Sequence, residues 1–228
     1  MKLNKAFLNW SSGKDAALSL YELQQSPKFE VVHLLTSINK FYDRVTMHGL
    51  RVDLLKKQIS ALDLPYSIVE LPKSPSNEVY EEKMNQALDK MLGLGCTHAA
   101  FGDIFLEDLK KYRESQLARK NVKAVFPLWK NDTLEIAKRF IGLGFKAIIV
   151  CVDGSKLDQS FAGRFFDESF LADLPSSVDP CGENGEFHTF CYAGPIFKNK
   201  INFERNGLEK RVYKHEKEQF VFWFEDLV

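Results

Sequence analysis

Charge of one sign is missing from this 228-residue chain: 31 Lys and Arg stand against 31 Asp and Glu. Without a net field to draw it to a polyanion or an anionic membrane, neither nucleic acid nor membrane is expected as a partner. Cysteine is scarce. Cys96, Cys151, Cys181 and Cys191 form no C-x-x-C pair, so they read as reduced structural thiols rather than as a metal site or a catalytic pair. Long apolar runs are also missing. The opening MKLNKAFLNW breaks at Ser11, too soon for a signal segment or a membrane span, and a cytoplasmic protein is expected. There is no Gly/Ser linker, internal repeat or low-complexity tract.

What is present is enough apolar material for a core, 45% of residues, arranged as short apolar runs alternating with longer amphipathic ones. That alternation predicts an α/β fold with a parallel sheet covered by helices. Strands are expected at 6–10, 31–38, 66–71, 97–103 and 124–128, with helices at 13–24, 50–62, 78–94 and 107–120. Gly95 closes the third helix as a C-cap. Asp132 and Glu135 open a further helix in the manner of a capping box, and 146–153 is strand-like. A soft boundary near Pro127 divides the chain into 1–127 and a smaller α+β part, 128–228. Residues 174–194 hold two prolines and three glycines and read as a long, functional loop. The tail from Val212 to Leu227 alternates like a strand around FVFWF.

Four segments carry chemistry. Ser11-Ser12-Gly13-Lys14-Asp15-Ala16 follows the first strand and opens a helix. Its small residues let backbone N–H groups turn towards phosphate oxygens, the helix terminus adds partial positive charge, and Lys14 supplies a full one. The Walker pattern GxxxxGK[ST] is not there. Gly102-Asp103 ends a parallel strand, the edge where open α/β sheets bind ligands. Met47-His48-Gly49-Leu50-Arg51 offers His48 and Arg51, and Arg113 on a later helix offers another anion contact. Pro180 to Phe190, PCGENGEFHTF, gathers Glu183, Asn184, Glu186 and His188 in a Gly-flanked loop able to move protons or hold a carboxylate or amine.

Taken together, SSGKDA, MHGLR, FGDIFLEDLKKYRE and CGENGEFHTF resemble the diphthine–ammonia ligase family, the ATP-binding-domain-4 group of PP-loop ATP pyrophosphatases, over nearly the whole chain. The resemblance implies an adenine-nucleotide α-hydrolase-like (Rossmann-like) N-terminal domain and a smaller C-terminal domain, with ATP in the cleft between them. Two departures stand out. The usual SGGKDS has Ser12 and Ala16 here, and the usual EGGE-aromatic-E-T has become Glu183-Asn184-Gly185-Glu186-Phe187-His188-Thr189. The second variant resembles a bacterial subgroup with a proposed role near cobalamin salvage, which leaves a carboxylate other than diphthine as an expected acceptor.

The implied reaction adenylates an acceptor carboxylate, releases pyrophosphate, and lets ammonia displace AMP. In this reading Ser11 to Ala16, Gly102 and Asp103 hold ATP, and Asp15 and Asp103 hold Mg²⁺. Lys14, Asp103, Glu183 and Glu186 are catalytic, while His48, Arg51, Arg113, Asn184 and His188 meet the substrate. No glutaminase domain is visible, so ammonia comes from outside the chain, and a homodimer is compatible with the sequence. Two rivals are a nucleotide sensor without turnover and a sulfur-transfer enzyme acting on tRNA.

Overall fold

A computed structural model describes residues 3–46, 48–215 and 218–228; Met47 of the MHGLR segment lies outside them. The first sheet uses β1 (Asn4–Asn9), β2 (Phe29–Asn39), β3 (Arg44–Val45), β4 (Tyr66–Leu71), β5 (His98–Ala100) and β6 (Lys123–Val125). Its five parallel strands run β4-β2-β1-β5-β6, and the short β3 pairs antiparallel with the end of β2. The order therefore reverses between β1 and β5. In a doubly wound sheet a crevice opens at that switch point, beyond the carboxyl ends of the strands.

Helices α1 (Lys14–Gln25), α2 (Val52–Leu62), α3 (Asn77–Gly93) and α4 (Glu107–Ala118) connect these strands. Their apolar positions divide into two layers. Leu18, Leu20, Leu54, Leu55 and Ile59 of α1 and α2 join one core, whereas Leu88 and Met91 of α3 and Leu117 of α4 join Phe7, Leu35 and Phe101 in another. Helix α3 is capped by Ser76, whose side chain accepts from the Val79 amide, and Gly95 has the positive φ of +82° expected just past its end.

Helix α5 (Thr133–Gly142) starts at Asp132, whose side chain accepts from the Glu135 amide. It leads to an antiparallel sheet of β7 (Lys146–Asp153), β8 (Phe187–Ala193), β9 (Arg205–His215) and β10 (Glu218–Leu227), ordered β8-β7-β10-β9. A short helix, α6 (Glu168–Asp173), lies between β7 and β8. The stretch 174–194 is loop only as far as Glu186; its second half is the buried strand β8, which pairs with β7. The Gly and Pro content of the first half had masked the β-forming FHTFCYA that follows. The tail is a hairpin whose first strand starts at Arg205, earlier than the apolar alternation shows. One continuous apolar cluster runs from Leu8 in the first sheet to Phe190 and Leu227 in the second.

Candidate nucleotide site

The SSGKDA segment leaves β1 in a turn with Ser12 at φ +74°, a left-handed conformation that disfavours any residue with a Cβ. Ser12 is fully buried, and its hydroxyl has no hydrogen-bond partner. Its carbonyl is held on two sides, by the Cys191 amide at 2.9 Å and by Gln58 Nε2 at 2.9 Å. Gln58 also donates to the Cys191 carbonyl at 2.6 Å and accepts from the Trp10 indole at 2.8 Å. One buried amide thus ties the end of β1, the SSGKDA turn and β8 together. Sequence reasoning missed it, although a glutamine between Leu55 and Ile59 in the apolar stripe of α2 was a legible signal.

Helix α1 begins at Lys14 without a side-chain cap from its own N-cap, Gly13. The cap comes from the other sheet: the Lys14 amide donates to Thr189 Oγ1 at 3.0 Å. Gly13 is required by contact, since a Cβ there would stand 2.6 Å from His48 Cε1. Gly102 is similar, with a Cβ meeting the Asp15 carbonyl carbon at 3.1 Å and the Ala16 nitrogen at 3.2 Å. The end of β5 and the start of α1 are therefore pressed together at the switch point.

Lys14 is almost completely buried. Its ammonium donates to both carboxylate oxygens of Asp15 at 2.8 Å and to the Cys181 carbonyl, and it lies 5.5 and 5.6 Å from the ring centres of Phe166 and Phe187. Burial opposes the charge, but Asp15, with further attraction from Cys181 and Glu183, outweighs it and raises the pKa. The lysine anchors the C-terminal half as well as facing the cleft.

The cleft at this point has a volume of about 540 Å³. Ser11, Lys14, Asp15, Ala16, Gly102, Asp103, Arg113, His48, Glu183, Asn184 and His188 all line it, beside an apolar wall that includes Leu35, Tyr80, Met84 and Phe101. Arg113 pairs with Asp103, Nε to Oδ2 at 2.8 Å, and its guanidinium lies 4.3 Å from the Phe101 ring centre. Glu183 crosses from the CGENGE loop to accept from the Ile104 amide at 2.7 Å. Burial, aided by the charges of Asp15 and Asp103 and opposed by hydrogen bonds from the Ile104 and Phe105 amides, pushes its carboxyl up to about 7.

His48 and His188 face each other with ring centres 4.9 Å apart. Burial lowers His48 to about 4 and His188 to about 3; the Lys14 charge adds to both, and each is neutral at pH 7. His48 Nδ1 lies 2.9 Å from the Thr189 carbonyl. A carbonyl only accepts, so Nδ1 carries the proton and Nε2 is left with a lone pair.

Two expected substrate or catalytic residues point elsewhere. The Glu186 carboxylate is buried and accepts from the Asp179 amide and from the Asn184 amide and side chain. Positive φ at Gly182 and Gly185 folds the loop back on this carboxylate. Asp179, which the sequence did not single out, accepts from the Cys181 and Glu183 amides on the other side. Arg51 makes a two-pronged contact with Asp226 of β10, Nε at 3.1 Å and a terminal nitrogen at 2.6 Å. It clamps β10 to the first sheet and does not reach the cleft. The two expected metal ligands, Asp15 and Asp103, are each already paired with a cation. Among the described residues no three His, Cys, Asp or Glu converge as a metal site.

A doubly wound, mostly parallel sheet with the SSGKDA turn at its switch point defines a Rossmann-like α/β fold, and no described helix is long and apolar enough to cross a membrane. The chain belongs to the diphthamide synthase family: the model of the diphthamide synthase N-terminal domain matches residues 4–124, and that of the C-terminal domain matches 132–224. It is 32% identical to the diphthine–ammonia ligase of Bos taurus over 102 residues, 42% of this chain and 38% of that one. Identity is 31% to the Homo sapiens and Danio rerio ligases, covering 38% and 40% of their lengths. The match thus spans well under half of these curated relatives. Among solved structures, a U34-tRNA thiolase, NcsA from Methanococcus maripaludis with its [4Fe-4S] cluster, aligns with 63% of this chain and 59% of its own at 17% identity and a TM-score of 0.40.

Proposed function

We propose that this chain is an ATP-dependent carbon–nitrogen ligase of the diphthine–ammonia ligase type, which adenylates an acceptor carboxylate and releases AMP and pyrophosphate. The observation that carries this reading is the meeting in one cleft of the α1 N-terminus, the Gly102–Asp103 strand end and the Glu183 carboxylate. Small residues and a helix terminus favour the polyphosphate. The apolar wall of Leu35, Met84 and Phe101 suits a base. We assign phosphate contact to Ser11, to Lys14 and to the Asp15 and Ala16 amides, because the Gly13 and Lys14 amides already have acceptors in Ser11 Oγ and Thr189. Ser12 and Gly13 serve by setting the turn.

In the proposed reaction the acceptor carboxylate oxygen attacks the α-phosphorus and pyrophosphate leaves. Ammonia then attacks the acyl carbon, AMP departs, and one proton must be removed from nitrogen. Glu183, poised near 7, and the His48 Nε2 lone pair are suited to receive that proton. Arg113, Asn184 and His188 border the acceptor. Mg²⁺ accompanying ATP would be held by phosphate oxygens and water, since the carboxylates of Asp15 and Asp103 are engaged by Lys14 and Arg113. The described residues do not build a metal centre of their own. The division near Pro127, with ATP handled by 1–127 and the acceptor by 128–228, is retained as part of the proposal, with Glu183 and Thr189 as the crossing points.

The test is equilibrium Mg–ATP binding together with AMP and pyrophosphate release in the presence of ammonium chloride and a panel of carboxylic acids. Lys14→Met should weaken nucleotide binding by at least about tenfold, the scale of one charge-assisted hydrogen bond. Its melting temperature should be followed in parallel, because the ammonium also holds the Cys181 carbonyl. Nucleotide affinity unchanged in a folded Lys14→Met protein would end the phosphate-loop reading. Tight ATP binding without AMP release from any acid would favour the sensor.

A further inference from the structure

Strand β9 is an edge. It spans Arg205–His215, pairs among the described residues with β10 on one side only, and ends the order β8-β7-β10-β9. Eleven residues is long for an exposed edge, which natural sheets usually keep short or cover. Its outward residues are not all polar: Leu208, Val212 and Tyr213 are each more than 40% exposed. Glu209 and Arg211 point to the same face of the strand and contact each other at 2.6 Å.

We propose that the free edge of β9 pairs antiparallel with β9 of a second copy of this chain, about a twofold axis through Lys210. In that register each residue faces the partner residue equally far from 210 on the opposite side, and facing side chains share a face. Leu208 then meets Val212 twice, and Glu209 meets Arg211 twice. Tyr213 covers Gly207, the arrangement by which an aromatic shields a strand glycine. Moving the axis to Glu209 or Arg211 stacks like charges at the centre and loses the Glu–Arg contacts. The Lys210 pair on the proposed axis is the one like-charge contact, and each Lys210 ammonium lies 5.3 Å from the ring centre of its own Trp223, which offsets part of its charge. The result is an eight-stranded sheet across the dimer and a closed isologous interface. A basic edge whose task is to repel other strands would not be self-complementary in this way.

Sedimentation and light scattering over a wide concentration range test this independently of any enzymatic assay. The wild-type chain should have twice the 26.2 kDa monomer mass. Glu209→Arg and Arg211→Glu, each placing like charges opposite one another, should raise the dissociation constant by about tenfold or more. The double variant carrying both changes restores opposite charges across the axis and should recover the dimer, which separates a broken interface from a damaged fold. A monomeric wild type overturns the proposal, as does a dimer indifferent to both single reversals or a double variant that stays monomeric while folded.

Discussion

Ser12 combines two unfavourable features in one buried residue: a left-handed backbone and a hydroxyl with no partner. A non-glycine residue held there costs on the order of 1–3 kcal/mol. The conformation persists because its carbonyl is gripped by both Gln58 and the Cys191 amide. Glycine adopts this φ without strain, and its greater freedom in the unfolded chain returns part of the gain. Ser12→Gly should therefore stabilise the protein by about 1 kcal/mol, a rise of roughly 2–4 °C in melting temperature for a chain of this size. A fall in melting temperature would mean that the serine hydroxyl makes a contact that offsets the backbone strain.

At the scale of elements, the CGENGEFHT segment is less a free loop than a braced clip. Asp179 and Glu186 take up its amides from inside, Glu183 reaches the β5 exit, and Thr189 caps α1. Glu186→Gln replaces an acceptor oxygen by an NH₂ that cannot serve the Asn184 amide, so it should destabilise the fold by about 1–3 kcal/mol. Hydrogen exchange at the Asp179 and Asn184 amides should quicken with it. Unchanged melting and exchange would return Glu186 to the role of a substrate-facing group. This is where the sequence was only half legible. Residue types and spacing marked the segment as functional, and Asp103, Arg113, Glu183, Asn184 and His188 do line the cleft. Which carboxylate turns inward depends on φ at Gly182 and Gly185, and a one-dimensional pattern does not show that. The parallel sheet was readable because its buried strands are continuous apolar runs. The first part of β9, 205–211, was not, since it carries no apolar alternation, and no local pattern ties Arg51 to Asp226, 175 residues away.

For the whole molecule, acid should act through groups that join its two halves. His48 and His188 have folded pKa values of about 4 and about 3, below the unfolded value near 6.5. Their contribution to stability is complete above pH 6.5 and is lost as pH falls, because the unfolded chain takes up protons first. Glu183 acts in the opposite sense. Raised to about 7 from 4.5, it favours folding increasingly as pH falls from 7 to 4.5 and so cancels about one histidine. Between pH 6 and 4.5 the unfolded state then binds roughly one proton more than the folded state, a slope of at most about 1.4 kcal/mol per pH unit, with the open cleft reducing it further. Below pH 4.5 Glu183 is protonated in both states and its compensation ends. Asp226 joins in below about pH 4: burial would raise it, but hydrogen bonds from Arg51, Asn206 and Arg44 hold it well below the usual carboxylate range. Its share of stability is present above the unfolded carboxylate value and is lost as pH drops through the folded one. Denaturant unfolding at intervals from pH 7.5 to 3.5 should show a shallow decline followed by a steep one. His188→Gln, which cannot charge, should flatten the upper limb or reverse it, as Glu183 would then act against one histidine alone. An upper limb of unchanged slope in His188→Gln would show that His188 stays protonatable in the folded protein, and the neutral pair facing the cleft would have to be given up.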